Sequence, residues 1–356
     1  DLLVCTNLAV HCWLVQRRAS QPGALGRAPA LHVLGMAFLA NVPVGWRGEM
    51  LTDFRARLAG PEAARAADGL RSPGGDVFVS YMETLPLQLQ WQLGRSVPFV
   101  PSLGLARSDG ATYDPPDPAA GAGRSVVVLR SAFWALPAGL VFSTLLRRFA
   151  AANAGTHGVR FTWLGRYPSL TPGGGLDDTS DAGAAGTRGA ITWHSFDAIA
   201  KHTCALDIPA EFSQIKFRDV YSMGLPLLFP ESQWMLRLFK KMYNSWGQMN
   251  AEWMHRVELS AAPGGDHRTE WPHRPFYDGA SDSLARLEYW LPLADHERYP
   301  HTLRFRSLQD LLDVVARTPF AEVSVKMRSH YRKVANNVGR FYSRALAELL
   351  GSAAPP

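Results

Sequence analysis

One segment, Glu211–Pro230, reads EFSQIKFRDVYSMGLPLLFP and indicates the architecture of the second half of the chain. It predicts a loop, a helix that begins near Ser213, a tight turn at Gly224 and a buried strand. Unpaired amide groups and partial positive charge collect where a helix begins, so a phosphate can bind there. A helix beginning near Ser213 contains Asp219 and leaves Glu211 in the preceding loop.

Short apolar runs alternate with helix-like stretches on the amino-terminal side of this segment. Ser125–Leu129 (SVVVL) and Val159–Leu164 (VRFTWL) are two such runs, and Pro137–Ala151 between them carries an apolar stripe. Strands of a parallel sheet are buried on both faces, so they read as continuous apolar runs separated by helices. The first half has the same pattern, with a strand predicted at Asp76–Tyr81 and a helix at Asp53–Ala67. The sequence therefore predicts an α/β fold.

Length and composition indicate two domains. The chain has 356 residues, of which 47% are hydrophobic and 19% charged, so it can form sizeable cores. A stretch rich in Pro, Gly and Asp follows the first domain, and a low-complexity insertion interrupts the second. The predicted organisation is a domain over 1–107, a linker over 108–124, a domain over 125–320 with an insertion at 168–190, and a helix and tail over 321–356. Because the first residue is Asp1 rather than Met, we expect a fragment or a processed form with a truncated first domain.

The composition excludes several classes of protein. No uncharged apolar run reaches the roughly 18 residues of a membrane-spanning helix. The net charge of +6 permits an anionic ligand without indicating nucleic acid. The three cysteines, Cys5, Cys12 and Cys204, are odd in number and form no CxxC pair, and no histidine has HExxH spacing. The sequence therefore predicts neither a zinc site nor a disulfide framework.

Signatures of several enzyme classes are missing as well. The sequence contains no G-x-S-x-G nucleophile motif, no P-loop and no dinucleotide-binding fingerprint. One acidic residue is nevertheless well placed. Glu83 follows the predicted strand Asp76–Tyr81, and sites of open α/β sheets form at the carboxyl ends of strands. Glu83 is therefore a candidate site residue.

The segment quoted first resembles the nucleotide-sugar-binding motif of GT-B glycosyltransferases, most closely the retaining kind with a glycosyltransferase group 1-like C-terminal domain. In that family a Glu is followed after seven residues by a second Glu, then by a turn ending in Gly-x-Pro and an apolar strand. Here Glu211, Asp219, Gly224 and Pro226 have the same spacing, with Asp219 in place of the second Glu. The string Tyr289–Asp295 is similar to strings in glycosyltransferase-like proteins of algae and other protists.

The resemblance implies roles for individual residues. Glu211 would lie near the transferred sugar as the catalytic residue, and Asp219 would accept hydrogen bonds from the ribose hydroxyls. Arg130, which follows the strand SVVVL, would contact the diphosphate together with the helix start at Ser213. Gly165, which follows the strand VRFTWL, would also belong to the donor site. The guanidinium fork of an arginine suits this role because it can pair bidentately with phosphate oxygens.

The same resemblance implies an architecture and a function. The expected fold has two Rossmann-like domains that face each other across a cleft, with a C-terminal helix packing back. The implied reaction moves a sugar from a nucleotide-diphosphate donor to an unknown glycan, protein or lipid acceptor, with Glu83 on the acceptor side. No metal and no other cofactor is required, since the sequence has no Asp-x-Asp motif. Nucleic acid is not expected as a partner, and the compartment stays open between the Golgi or ER and the cytoplasm.

Other functions remain open at this stage. Residues 131–146 contain no Lys or Arg, whereas the family commonly has a Lys a few residues after the position of Arg130. This favours a GT-B-shaped protein that binds a nucleotide sugar or a partner without turnover. A nucleotide-sugar epimerase or phosphorylase on the same fold is a second alternative. A nucleic-acid binder is a third, and its binding would depend steeply on salt.

The candidate residues also have structural alternatives. Glu211 can simply cap the following helix, and Arg130 can form an ion pair between domains. Asp219 can be a helix-surface acid paired with Lys216 or Arg218. Lys216 or Arg218 can also stand in for the missing basic residue of the donor site.

Overall fold

The structure is a computed structural model of the chain. It describes residues 2–7, 9–19, 29–35, 42–58, 75–94, 97–104, 110–115, 123–164, 169–170, 176–177, 195–209, 214–238, 272–273 and 284–351. These residues form two compact units. The first draws on the described residues of Asp1–Ser102, Met249–Asp278 and Val334–Pro356, and the second on those of Leu103–Gln248 and Gly279–Lys333. The predicted positions Gly165, Glu211 and Ser213 lie outside the described residues.

The first unit contains a parallel sheet with the strand order β1-β2-β3. Its elements are β1 (Leu3–Asn7), α1 (Ala9–Ala19), β2 (Ala30–Leu34), α2 (Val44–Leu58), β3 (Val77–Ser80) and α3 (Leu85–Leu93). Each connection between parallel neighbours crosses over through a helix, as the geometry of parallel pairing requires. The helix predicted at Asp53–Ala67 instead begins at Val44, because Gly45 and Gly48 weaken the helical signal of its first turns.

Both faces of the first sheet are covered by apolar side chains. On one face, Leu34 and Phe78 belong to a core with residues of the three helices, including Trp13 and Phe54. On the other face, the strand residues Leu31, Val77 and Val79 pack against the long helix Phe320–Leu350, which contributes Val338, Ala345 and Leu349. The helix predicted within 321–356 is thus confirmed, and its carboxyl-terminal part completes the core of the first unit.

A disulfide joins Cys5 of β1 to Cys12 of α1. The prediction that the cysteines form no disulfide framework was wrong in this respect. Strand and helix follow each other directly, and their packing brings the two Cα atoms to 5.8 Å, within the range that a disulfide spans. A search for CxxC spacing cannot detect this pair, because its closeness comes from the fold. Cys204 is a free, buried cysteine.

The second unit contains a five-stranded parallel sheet with the order β10-β9-β8-β4-β5. Its strands are β4 (Ser125–Val128), β5 (Arg160–Trp163), β8 (Cys204–Leu206), β9 (Leu227–Pro230) and β10 (Leu303–Phe305), and a separate two-stranded pair joins β6 (Ser169–Leu170) to β7 (Leu176–Asp177). Its helices include α4 (Pro137–Ala152), α5 (Ala154–His157), α6 (Phe196–Ala200) and α7 (Ile215–Met223), followed by Leu284–Trp290, Asp295–Arg298 and Leu308–Arg317. Two parallel sheets among alternating helices confirm the predicted α/β class.

The helix and turn of the opening segment are confirmed with small shifts. Helix α7 begins at Ile215 after Gln214 and ends at Gly224, whose φ of 78° lies in the left-handed region. A Cβ at Gly224 would also lie 2.5 Å from a side-chain carbon of Arg328, so two independent reasons favour glycine here. No helix in the described part of the chain is both long and apolar enough to cross a membrane.

Replacing Val338 by Asp tests the contribution of the long helix to the first core. Val338 is buried in that core, so an unpaired carboxylate there is expected to lower the free energy of unfolding by about 3 kcal/mol or more. The matched control, Asn337→Asp, introduces the same side chain at the exposed neighbouring position and should change stability by less than about 0.5 kcal/mol. Urea unfolding followed by circular dichroism measures both, and equal effects would contradict the packing.

Candidate functional site

The carboxyl edge of the second sheet contains a topological switch point. Strand β4 pairs with its successor β5 on one side and with the later strand β8 on the other. Chains that leave two such strands run in opposite directions, which opens a crevice at the carboxyl ends where ligands of open α/β sheets bind. The residues that follow β4 and β8 therefore define the candidate site.

Backbone and side-chain hydrogen bonds hold the two strand ends together. The amide of Leu129 donates to the carbonyl of Leu206 at 2.9 Å, which extends the pairing beyond β4. The hydroxyl of Ser131 donates to the carbonyl of Ile208 at 2.5 Å and accepts from the amide of Phe133. Ser131 thus begins the short 3-10 helix Ala132–Ala135 and ties it to the neighbouring strand end.

Lys216 of α7 reaches into this crevice. Its Nζ lies 2.7 Å from Oδ1 of Asp207, the residue after β8, and donates to the carbonyl of Arg130 at 2.5 Å. Asp207 is fully buried, and burial raises the pKa of its carboxyl while the nearby Lys216 lowers it. Residues 131–146, which follow Arg130 in the chain, contain no basic residue. Lys216 instead provides a basic side chain next to Arg130 from helix α7. The side chain of Arg130 itself is exposed.

A buried ion pair positions the start of α7. Asp295 and Arg218 are 2% and 1% exposed, and the guanidinium nitrogen Nη2 donates to Oδ1 of Asp295 at 3.1 Å. The other oxygen, Oδ2, accepts from the backbone amide of Gln214 at 2.9 Å. Asp295 therefore supplies the negative charge that the positive end of a helix favours. One amide at this helix start is occupied by the protein's own carboxylate.

Asp219 lies on a covered face of α7. It is 7% exposed, so the alternative of a helix-surface acid is wrong, and Lys216 and Arg218 contact Asp207 and Asp295. The segment at Gly104 passes so close that a Cβ there would lie 2.9 Å from the Cα of Asp219. Its predicted ribose contact stays a prediction.

Glu83 lies at the carboxyl edge of the first sheet. It is buried, follows β3 by three residues and precedes Thr84, the residue before α3. At the same edge the amide of Tyr81 donates to the carbonyl of Leu34, and the Tyr81 ring fills the space beside Gly35. The position matches the expected strand end, whereas the acceptor-side role of Glu83 stays a prediction.

The sequence did not single out two residues of this site. Asp207 could have been found, because an acid at the end of an apolar run is typical of a strand end, where such sites form, and it directly follows β8. Asp295 could not have been found, because its partner Arg218 in α7 lies 77 positions away in the sequence. No local sequence pattern indicates a contact over that distance. Of the predicted donor-site residues, the described ones are Arg130 and Asp219.

Comparisons with known proteins give matches among solved structures. The chain is similar to CalG4, the calicheamicin glycosyltransferase, with a TM-score of 0.38, 13% identity and coverage of 100% of this chain and 74% of that one. It is also similar to the glycotransferase of kitacinnamycin, with a TM-score of 0.36, 12% identity and coverage of 97% and 76%. Likenesses at this level of identity concern the fold alone. No protein-family model and no curated protein matches the chain.

Replacing Arg218 by Met tests the buried ion pair. The variant leaves the carboxylate of Asp295 without its cation, so the free energy of unfolding should fall by about 3–5 kcal/mol. Arg306→Met is the control, because Arg306 is 82% exposed where it pairs with Glu231 and should cost at most about 1 kcal/mol. Urea unfolding compares the two. Similar losses would show that the buried pair does not position α7.

The neighbouring His296 makes the second unit sensitive to acid. Burial lowers the pKa of His296 from 6.5 to about 3, and Arg304 adds to the shift. Below about pH 6.5 His296 therefore binds a proton in the unfolded chain, whereas in the folded chain it stays neutral until the pH approaches 3. By linkage this contribution to stability is present above pH 6.5 and is lost as the pH falls towards 3.

Replacing His296 by Gln should remove part of this acid sensitivity. Between pH 7 and pH 5 the wild type is expected to lose about 2 kcal/mol more stability than His296→Gln, because only the wild type has this proton uptake on unfolding. The exposed His11 provides the control, since His11→Gln should lose as much as the wild type. Urea unfolding at a series of pH values gives the comparison, and parallel pH profiles of wild type and His296→Gln would refute it.

Proposed function

We propose that the chain is a glycosyltransferase whose sugar donor binds, through its nucleoside diphosphate, at the carboxyl edge of the second sheet between β4 and β8. The observation that carries the proposal is the hydrogen bond from Nζ of Lys216 to the backbone carbonyl of Arg130, which brings the two residues together at this switch point. Two basic side chains beside a crevice of this kind suit a diphosphate.

The charges around the crevice give Arg130 and Lys216 different expected roles in binding a diphosphate. Asp207 offsets the charge of Lys216, whereas no acid among the described residues pairs with Arg130, so the net positive charge of this part of the crevice comes from Arg130. Lys216 has three N–H donors, and two of them have described partners in Asp207 and the Arg130 carbonyl. We expect Arg130 to supply most of the attraction for the diphosphate, while Lys216 contributes a directed hydrogen bond.

The proposed reaction uses this arrangement when the bond between sugar and diphosphate breaks. Negative charge then grows on the leaving phosphate, and cationic donors already in position lower the barrier because they need no rearrangement. Glu211 and Ser213 lie in sequence between Pro209 and Gln214, on the connection from β8 to α7. Their proposed roles, Glu211 beside the sugar and Ser213 at the diphosphate, follow from the resemblance to the GT-B motif.

A second candidate function is binding of a nucleotide sugar without turnover. It is favoured by the carboxylate of Asp295, which already occupies the Gln214 amide at the helix start where a phosphate would otherwise bind. Asp207 likewise takes up one of the N–H donors of Lys216. These two carboxylates weaken a diphosphate site without abolishing it.

Ligand-dependent melting tests the proposed donor site. The probes are UDP, GDP and dTDP, and a nucleotide at one hundred times its dissociation constant should stabilise the folded chain by about 2.7 kcal/mol. Arg130→Ala should weaken binding by about tenfold or more, since a hydrogen bond to a charged group contributes about 1.5–3 kcal/mol. Arg160→Ala is the matched control, because Arg160 is an exposed arginine at the amino end of β5 in the same sheet.

The outcomes separate the site from the reaction. A nucleotide that stabilises the wild type and Arg160→Ala but not Arg130→Ala supports the site. Equal stabilisation of all three, or of none, argues against it. Hydrolysis of the matching nucleotide sugars is then measured. Release of free sugar that is lost in Glu211→Gln supports a transferase, whereas binding without hydrolysis supports the second candidate.

A further inference from the structure

We propose that Cys5, Cys12 and His32 form a metal site in the first unit, which binds one Zn²⁺ when the disulfide between the two cysteines is reduced. One ligand atom from each residue lies within 4.8 Å of the others. About 2.3 Å to sulfur and 2.0–2.1 Å to nitrogen are normal zinc bond lengths, so ligand atoms around a tetrahedral zinc lie about 3.5–3.8 Å apart. The two sulfurs are bonded to each other in the disulfide, so zinc binding requires its reduction and side-chain rotations that move the sulfurs apart. The site is independent of the proposed sugar-donor site.

The fold itself brings the three residues together. Cys5 and His32 are direct partners in the parallel pairing of β1 with β2. Cys12 comes from α1, which follows β1 and packs against the same strands, and both cysteines share an apolar cluster with Ala30. The two Cα atoms of the cysteines are 5.8 Å apart. Two strands and a helix thus present three ligands from rigid elements rather than from loops.

The surroundings suit a cation bound by two thiolates. Cys5, Cys12 and His32 are 4%, 7% and 0% exposed, so an unbalanced charge here would be costly. Two thiolates and one Zn²⁺ sum to zero, which removes that cost. The nearby carboxylate of Asp76 is balanced separately by the guanidinium of Arg57 at 3.8 Å. Thiolate and imidazole ligands favour zinc over magnesium or calcium, which prefer oxygen.

The carboxylate of Asp76 lies beside the ring of His32, and a carboxylate is a common neighbour of histidines that bind zinc. Nε2 of His32 lies 3.6 Å from Oδ2 of Asp76, and the ring stacks on Phe78 with centroids 4.3 Å apart. Asp76 is held by the backbone amide of Ala30, which donates to Oδ1 at 3.0 Å. A carboxylate that accepts the second ring N–H of a ligating histidine fixes the ring orientation and raises its basicity, and Asp76 needs to approach by only about 0.5 Å to accept such a bond. A disulfide alone has no need of this arrangement.

The exchange between the two states balances as a thiol–disulfide reaction. A dithiol reductant gives two electrons and two protons to the Cys5–Cys12 bond, which becomes two thiols while the reductant becomes a disulfide. Zn²⁺ then displaces the two thiol protons, which go to solvent, and binds both sulfurs and one imidazole nitrogen. The three protein ligands leave a fourth position for a water molecule.

Cobalt binding to the full chain tests the proposal, because Co²⁺ reports thiolate ligation by a charge-transfer absorption band. The wild type is reduced with a phosphine, freed of metal and titrated with Co²⁺ without oxygen. We expect one Co²⁺ per reduced chain, displaced by Zn²⁺, and no such band for the disulfide form. Cys12→Ser and His32→Gln should weaken binding by more than about tenfold. Cys204→Ser, which removes the free buried cysteine, should bind like the wild type.

Each result decides the matter in one direction. A reduced wild type that shows no thiolate–cobalt band overturns the site, and so does unchanged binding by Cys12→Ser or loss of binding by Cys204→Ser. Circular dichroism establishes whether each variant is folded. The comparison of reduced with oxidised wild type needs no substitution, so it remains decisive if a variant fails to fold.

Discussion

The buried ion pair between Arg218 and Asp295 is the interaction on which the carboxyl edge of the second sheet depends. It fixes α7 to a segment far along the chain, and the same carboxylate occupies the amide of Gln214. Tyr221 strengthens this attachment by donating its hydroxyl proton to the carbonyl of Pro300 at 2.9 Å. With α7 held in this way, Lys216 extends over the ends of β4 and β8. The buried ion pair therefore determines where Lys216, one of the two basic residues of the candidate site, lies.

The crevice also shows how a protein can place positive charge beside buried acid. Asp207 is fully buried and would be costly if unpaired, so Lys216 is committed to it. Arg130, on the exposed side, keeps its guanidinium in solvent. Burial thus gives the lysine a structural partner, and the donor-site proposal assigns the ligand contact to the arginine. The donor-site proposal depends on this division more than on the number of basic residues.

Sequence patterns predicted the elements better than their contacts. The strand at Ser125–Val128 was predictable because a central parallel strand must be apolar on both faces. The end of α7 was predictable because Gly224 adopts a conformation that other residues rarely enter. By contrast, the partners of Asp295 and the disulfide of Cys5 arise from packing between elements. The spacing of residues in the sequence does not indicate which elements pack together. Sequence patterns could therefore place the candidate site only at the ends of particular strands.

The long helix has a consequence for synthesis of the chain. One face of the first sheet, with Leu31, Val77 and Val79, is covered by Val338 and later residues of the helix Phe320–Leu350. Ribosomes add about 5–20 residues per second, so on the order of tens of seconds separate the emergence of β3 from that of its cover. During that interval a nascent chain carries an apolar sheet face with no native partner. Chaperone binding during translation would therefore act on the first unit for longer than on the second.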